Sequence, residues 1–325
     1  MNFLNRLRPM LLGAAALSLA LAAGAAQAAW PERPIKLIVP YPPGGLTDVV
    51  TRTIGDEVGR ILGQPVVVEN RAGAGGKIGL DAVKRADKDG YTIGLAVPAT
   101  MVSLPLTDKN FGLSIQDFDS ITIAIETYTV LVANPQLKIS KLAEFTEQAK
   151  RSTRKFNYGT PGAGTSYHFN TVRLERVLGF QATHVPYKGE GPALSDLASG
   201  QIDFMIATNT AKAFIDSGRL TALAVAAPQR VEVLPQVPTF RELGIDFTTD
   251  GWVGYVAPAG VPTDVLEKLN AAFSQALKTP RIQQNFRAMG YTVIANSPQE
   301  FRRIVEQSTQ RYAELIRSGA IKLEN

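Results

Sequence analysis

The chain has 325 residues, a formal charge of +5, two histidines and no cysteine, and 45% of it is hydrophobic against 19% charged. That balance excludes a disordered polyelectrolyte, and the missing cysteine excludes both a disulfide scaffold and a lipidated N-terminal cysteine. Basic residues are scattered, with no stripe that alternates with aromatics, which argues against a nucleic-acid partner.

The first 28 residues read as an export signal. Arg6 and Arg8 make a positive start, and "MLLGAAALSLALAAGAAQA" is a short apolar core that ends in Ala26-Gln27-Ala28. This A-x-A ending predicts cleavage near Ala28 and a periplasmic protein, not a retained anchor. Its removal would leave 297 residues and a charge of +3, enough for two ordinary domains.

From Ile35 the pattern alternates strand and helix. "IKLIVP" predicts a strand, Thr47–Leu62 a helix stopped by Gly63, and "PVVVEN" (65–70) a β-branched strand. "GKIGLDAVKRA" (76–86) is a short amphipathic helix and "YTIGLAV" (91–97) a strand. Crossovers of this length predict a parallel sheet. "ITIAIETYTVLVAN" (121–134) is long enough to leave one domain and enter another.

The rhythm then restarts. A helix near Lys141–Arg151 precedes "FNYGT", the loop "PGAGTS" and a helix near Tyr167–Leu178. "THVPYK" reads as extended, "GPALSDLASG" as a helix and "IDFMIAT" (202–208) as a buried strand. "AKAFIDSG", "LTALAVAA" and "VPTFRELG" continue as helix, strand and helix. "GWVGYVAP" (251–258) is a natural return crossing, with Trp252 and Tyr255 in the core. The rest is mostly helical: Pro262–Leu277, Arg281–Met289 and, after a strand "YTVIAN", Pro298–Arg317. The fold class expected is α/β: two doubly wound lobes joined by two crossing strands. Residues 29–128 plus 254–325 form one lobe and 129–253 the other, with a cleft between them.

Two loops carry the chemistry. "PPGGLTD" (42–48) and "YGTPGAGTS" (158–166) both run from a strand through proline and glycine to a capped helix start. Each offers bare main-chain N–H groups at the positive end of a helix dipole, and two such ends could share one carboxylate without any Arg or Lys. Taken singly, each reads first as an ordinary capped βα turn, since N-caps are common; the match between them shifts the reading toward function. A Thr or Asp should cap the first helix, with Thr165 or Ser166 capping the second. Asp48, four residues before Arg52, reads as a loop organiser.

Other signals fail. "GAGGKIG" (73–79) lacks the last glycine of a dinucleotide fingerprint and the Ser/Thr of a P-loop, leaving a turn into a helix that borders the cleft. Two histidines without cysteine give no zinc spacing, and no cofactor or metal is expected. Ser166 and His168, two apart on a helix, do not face each other as a hydrolase pair would, and no G-x-S-x-G elbow surrounds them.

The stretches "LIVPYPPGGLTD", "LGQPVVVENRAGAGGKIG", "DGYTIGL", "FNYGTPGAGTSYHF", "HVPYKGEGPALSDLASGQID", "LTALAVAAPQR", "PQVPTFRELG" and "GYVAPAGVP" resemble the Bug family, the solute receptors of tripartite tricarboxylate transporters. The resemblance implies a fold like the type II periplasmic binding proteins and a hinged cleft that pinches a small carboxylate. It implies ligand contacts from Gly44, Gly45, Leu46, Thr47 and Asp48 in the first loop. The second loop would supply Thr160, Ala163, Gly164, Thr165 and Ser166, with His168 beside them. It also implies a monomer whose partners are a large and a small permease subunit or, in some relatives, a sensor kinase. Leu46 stands where the family commonly has a third glycine, which makes the loop bulkier. Thr208 stands near a position where the family usually has an acid, which weakens an amino-acid ligand. Thr100 and Met101 fall in a divergent segment (98–118), where the far half of a ligand would rest.

Overall fold

The computed structural model describes residues 30–187 and 189–321; the expected export signal, with the cleavage expected near Ala28, and Lys188 of "THVPYK" lie outside them. The chain opens with β1 (Ile35–Val39), α1 (Leu46–Leu62), β2 (Val66–Asn70), α2 (Lys77–Lys84), β3 (Thr92–Ala96) and β4 (Phe118–Glu126). β1 lies between β2 and β3, parallel to both, as two right-sized crossovers require. The divergent segment forms a π-helical turn, Ala99–Ser103, running into a helical turn, Leu104–Thr107.

The expected long strand at 121–134 is two strands. β4 ends at Glu126 and β5 (Thr129–Ala133) belongs to a second sheet, with Thr127 and Tyr128 as the break. The second sheet continues with α3 (Leu142–Arg151), β6 (Phe156–Thr160), α4 (Ser166–Leu178), β7 (Ala182–Pro186), α5 (Glu190–Ser199), β8 (Phe204–Ala207) and β9 (Thr221–Ala226). Its order is β7-β6-β8-β5-β9, with β7 and β8 parallel to β6 and β5 antiparallel to both its neighbours.

β10 (Trp252–Pro258) lies wholly in the first sheet, between β3 and β4 and antiparallel to both. Both sheets are therefore mixed, not parallel throughout, because a strand arriving from the other lobe enters backwards. The crossing back is irregular chain ending at Gly251. Trp252 and Val253, expected in the second lobe, pair with Glu126 and Ile125 of the first. Trp252 and Tyr255 are both buried, as read from the sequence. α6 (Thr263–Leu277), α7 (Pro280–Ala288), a short β11 (Thr292–Val293) and α8 (Pro298–Arg317) complete the first lobe.

"VPTFRELG" is not a helix. Val225 of β9 donates to the Pro238 carbonyl and accepts from the Phe240 N–H, which holds this stretch extended along the sheet edge. The Glu242 carboxylate accepts from the Thr239 N–H and from Arg230, fixing a turn where helical spacing alone would have continued.

The lobes share more than their crossing strands. Phe169 and Val172 of α4 are buried in one apolar cluster with Phe301, Val305, Tyr312 and Leu315 of α8. The Phe169 and Tyr312 rings stack at 4.3 Å with 6° between their planes. At the crossing, the Thr127 N–H donates to the Gly251 carbonyl at 2.8 Å, and the Thr129 and Thr249 hydroxyls bond at 2.9 Å.

In the second lobe the Tyr158, His184 and His168 rings form a column, with His168 and His184 3.9 Å apart. Burial pushes both imidazoles down to about 4, and His168 adds to the effect on His184. Both rings are thus neutral at pH 7. The stability this neutrality confers is fully present above pH 6.5 and is lost as pH falls toward 4, because the unfolded chain binds the protons first.

Two measurements test this account of the fold. Only two histidines exist, so proton NMR resolves both imidazole signals and one substitution assigns them; each should titrate near pH 4, and a midpoint between 6 and 7 would contradict the column. At Gly251, a Cβ would sit 2.7 Å from Thr127 Oγ1 and 3.0 Å from the Thr127 carbonyl oxygen. Gly251→Val should therefore cost about 2–3 kcal/mol in thermal or urea unfolding, since the backbone atom cannot rotate away.

Candidate functional site

Both glycine loops lie at carboxyl ends of parallel strands: the first follows β1 and the second follows β6. The first does not close as read from the sequence. Helix α1 begins at Leu46 and its N-cap is Gly45, with no side chain capping it. Asp48 sits in the first turn instead and reaches back, its Oδ2 accepting from the Gly44 N–H at 2.9 Å. Gly44 has φ +83°, a conformation open mainly to glycine.

The second loop repeats this design with different chemistry. Thr165 is the N-cap, its Oγ1 accepting from the His168 N–H. His168 reaches back four residues, and its Nδ1 accepts from the Gly164 N–H at 3.2 Å. Gly164 has φ +70°. A carboxylate in one loop and an imidazole in the other thus bind the amide of the glycine before the cap. The neutral His168 ring must then carry its proton on Nε2.

The amides that follow are left outward. Among the described residues, no protein acceptor meets the N–H groups of Gly45, Leu46 and Thr47, or those of Thr165, Ser166 and Tyr167. Pro42, Pro43, Gly44, Gly45 and Ala163 are exposed, while Leu46, Thr47, Gly164, Thr165 and Ser166 are half-buried. Leu46 does not crowd the first loop, because its side chain packs against the first lobe's core. A Cβ on Gly45 would meet only the Pro42 carbonyl oxygen, at 3.9 Å, so the space before the α1 terminus is open.

The Asp48 charge is cancelled locally. Arg52 Nε donates to both its oxygens at 3.1 Å, and Asn70 Nδ2 donates to Oδ1 at 2.9 Å and to the Tyr41 carbonyl at 3.1 Å. The guanidinium above all, with the Gly44 and Asn70 donors, holds the Asp48 carboxyl down to about 2. The expected Asp48–Arg52 pair is present; Asn70, which ties β2 to the loop, carries no local signal that marks this role.

Four expected site residues have side chains engaged by the protein's own groups. Thr100 is fully buried, and its hydroxyl donates to the Val97 carbonyl of its own turn. Its methyl group faces Gly76 of the "GAGG" turn, whose missing Cβ would meet it at 2.8 Å. Thr160 is fully buried beneath the second loop, its hydroxyl bonded to the Gly162 carbonyl and lying 2.7 Å from His184 Nε2. His168 is buried in the ring column. Thr208 is occupied by Glu190: its N–H and hydroxyl donate to the two Glu190 carboxylate oxygens at 2.6 and 2.9 Å. An acid therefore does stand beside the end of β8, supplied by α5.

The "GAGG" turn of the first lobe and the second glycine loop are linked through the 99–107 segment. Gly75 packs on Leu104, and a Cβ on Gly164 would lie 3.2 Å from Thr107. Across the lobes, Asn209 Nδ2 donates to the Tyr291 hydroxyl at 3.1 Å. Ser166 and His168 share no hydrogen bond among the described residues, and His168 Nδ1 is already taken by Gly164.

Comparison with known proteins follows the same lines. Residues 50–321 match the profile described as the tripartite tricarboxylate transporter family receptor. The chain is similar to Protein BugT of Bordetella pertussis, 35% identical over 299 residues that cover 91% of this chain and 92% of that one. Among solved structures it is similar to the periplasmic binding protein BugD, at 33% identity and TM-score 0.70, covering 90% of this chain and 99% of that one. It is likewise similar to MatC of Rhodopseudomonas palustris with bound malate, at 31% identity and TM-score 0.70, covering 88% of this chain and all of that one. Two mixed sheets, paired helix starts and this profile agree: the chain belongs to the tripartite tricarboxylate transporter receptor family, with the fold of a periplasmic binding protein.

Proposed function

We propose that this protein captures a small organic carboxylate in the periplasm, between its two lobes, and delivers it to the permease subunits of a tripartite tricarboxylate transporter. The observation that carries this reading is the duplicated loop. Each lobe turns one glycine amide inward onto Asp48 or His168 and leaves the next three N–H groups without an acceptor. A carboxylate has two oxygens and about four lone-pair directions, which suits donors arriving from two helix starts. The ligand contacts are then the main-chain N–H groups of Gly45, Leu46, Thr47, Thr165, Ser166 and Tyr167, with Gly44, Ala163 and Gly164 shaping the backbone that presents them. Asp48, Thr160 and His168 shape the loops from below. A relative with malate bound supports a carboxylate as the ligand class.

This grip uses dipoles and no basic side chain, so it is selective for charge without fixing the rest of the ligand. Domain closure on ligand binding would bend the chain at Thr127-Tyr128 and Thr248–Gly251. The family is one of solute receptors, and a hydrolytic role finds no nucleophile–base pair at Ser166 and His168.

Calorimetry against a panel of aliphatic, hydroxylated, amino and aromatic carboxylates should find at least one that binds and raises the melting temperature; a panel without any binder would refute the proposal. Gly45→Val places a branched side chain in the open space before α1 at an ordinary φ of −78°. It should weaken that binding by about a hundredfold or more while shifting the melting temperature by less than about 2 °C. Unchanged affinity would remove the first loop from the site.

A further inference from the structure

Glu190 is the first residue of α5 and follows Gly189, whose N–H donates to the Pro161 carbonyl of the second loop at 3.3 Å. The preceding Tyr187 N–H donates to the Thr160 carbonyl at 2.9 Å. Two bonds thus pin the entry of α5 onto the loop that presents the Thr165, Ser166 and Tyr167 amides. Thr208 holds the Glu190 carboxylate from the other side, one bond to each oxygen. The charge acts on the hydroxyl of Tyr167, a residue of the first turn of α4, and adds to the upward push of burial there. Tyr291, the first-lobe partner of Asn209, adds a smaller push to the same hydroxyl.

Each carboxylate oxygen offers two lone-pair directions and Thr208 uses one on each, so Glu190 keeps accepting capacity. A fixed negative charge beside an anion-binding loop penalises a second ligand carboxylate at that point and rewards a donor. The geometry points to Glu190 as the residue that sets ligand choice: next to the gripped carboxylate it selects a ligand bearing a hydroxyl or ammonium donor, and Thr208 positions it. This rests on the carboxylate-receptor reading above.

The test uses matched acids that differ only in the donor: succinate, malate and aspartate, then glutarate, 2-hydroxyglutarate and glutamate, then benzoate, 4-hydroxybenzoate and 4-aminobenzoate. In the series that binds, calorimetry should show the best donor-bearing member at least tenfold tighter than its unsubstituted partner. Glu190→Gln keeps an acceptor for the Thr208 N–H but removes the charge; it should reduce an ammonium advantage to about twofold or less while sparing part of a hydroxyl advantage. Thr208→Ala, which removes the hydroxyl bond to Glu190, keeps the N–H bond and leaves the charge, should reduce the same ratio partially and serves as the test if Glu190→Gln does not fold. Equal binding of unsubstituted and donor-bearing acids overturns the proposal, and so does a ratio unchanged in both folded variants. If carboxylates bind but Glu190 leaves their ranking alone, only this inference falls; if none binds, the receptor reading falls and takes it along.

Discussion

One bond, made twice, sets the character of the cleft: a side chain in the first turn of a helix reaches back to the amide of the glycine that precedes the cap. Asp48 does this for Gly44 and His168 for Gly164. The bond turns one N–H into the protein and leaves its successors pointing away from it. It also requires positive φ at both glycines, which a Cβ would strain. The helper groups differ because their settings differ. Asp48 carries a full charge and needs Arg52 and Asn70 to absorb it. His168 lies in an aromatic column, where burial keeps the ring uncharged and therefore able to accept. Neither helper leaves a net charge at the mouth of the site, so neither offsets the positive ends of the two helices.

The two lobes are not independent bodies tied by two strands. Helix α4 starts at the second anion loop and, one turn on, buries Phe169 against Tyr312 of the other lobe. The element that presents the donors is thus also the element that joins the lobes. A motion that opens the cleft must slide or pivot about this contact, which restricts it more than the crossing segments alone would. Smaller contacts at Thr107–Gly164 and Asn209–Tyr291 also join the lobes.

Much of this was legible in the sequence because the signals were local. The strands at 35–39, 66–70 and 92–96, the stop at Gly63 and both glycine loops follow from residues within a few positions of each other. The first crossing was legible too, since fourteen apolar-rich residues from 121 to 134 exceed an ordinary strand. What escaped depends on partners far along the chain. Thr100 reads as a place for the far half of a ligand until the "GAGG" turn is folded over it. "VPTFRELG" has helical composition, but the edge of β9 draws Pro238 to Phe240 out along it and only a turn is left for Arg241 to Gly244. Glu190 and Thr208 are 18 residues apart and meet because β6 lies between β7 and β8, an order that no local pattern encodes. The cap of α1 was misread for a different reason: Asp48 satisfies an amide outside the helix, not one within it.

The placement of β10 bears on how the molecule comes into being. Residues 252–258 fill the middle of the six-stranded sheet, bridging the β2-β1-β3 half to the β4-β11 half. Until they emerge, no strand pairs those halves, although about 100 residues of the same lobe have already been synthesised. The lobe that contains the N-terminus is therefore the last to be completed. An export machine that accepts only unstructured chain gains from this order, because the leading segment cannot lock into its final form ahead of translocation.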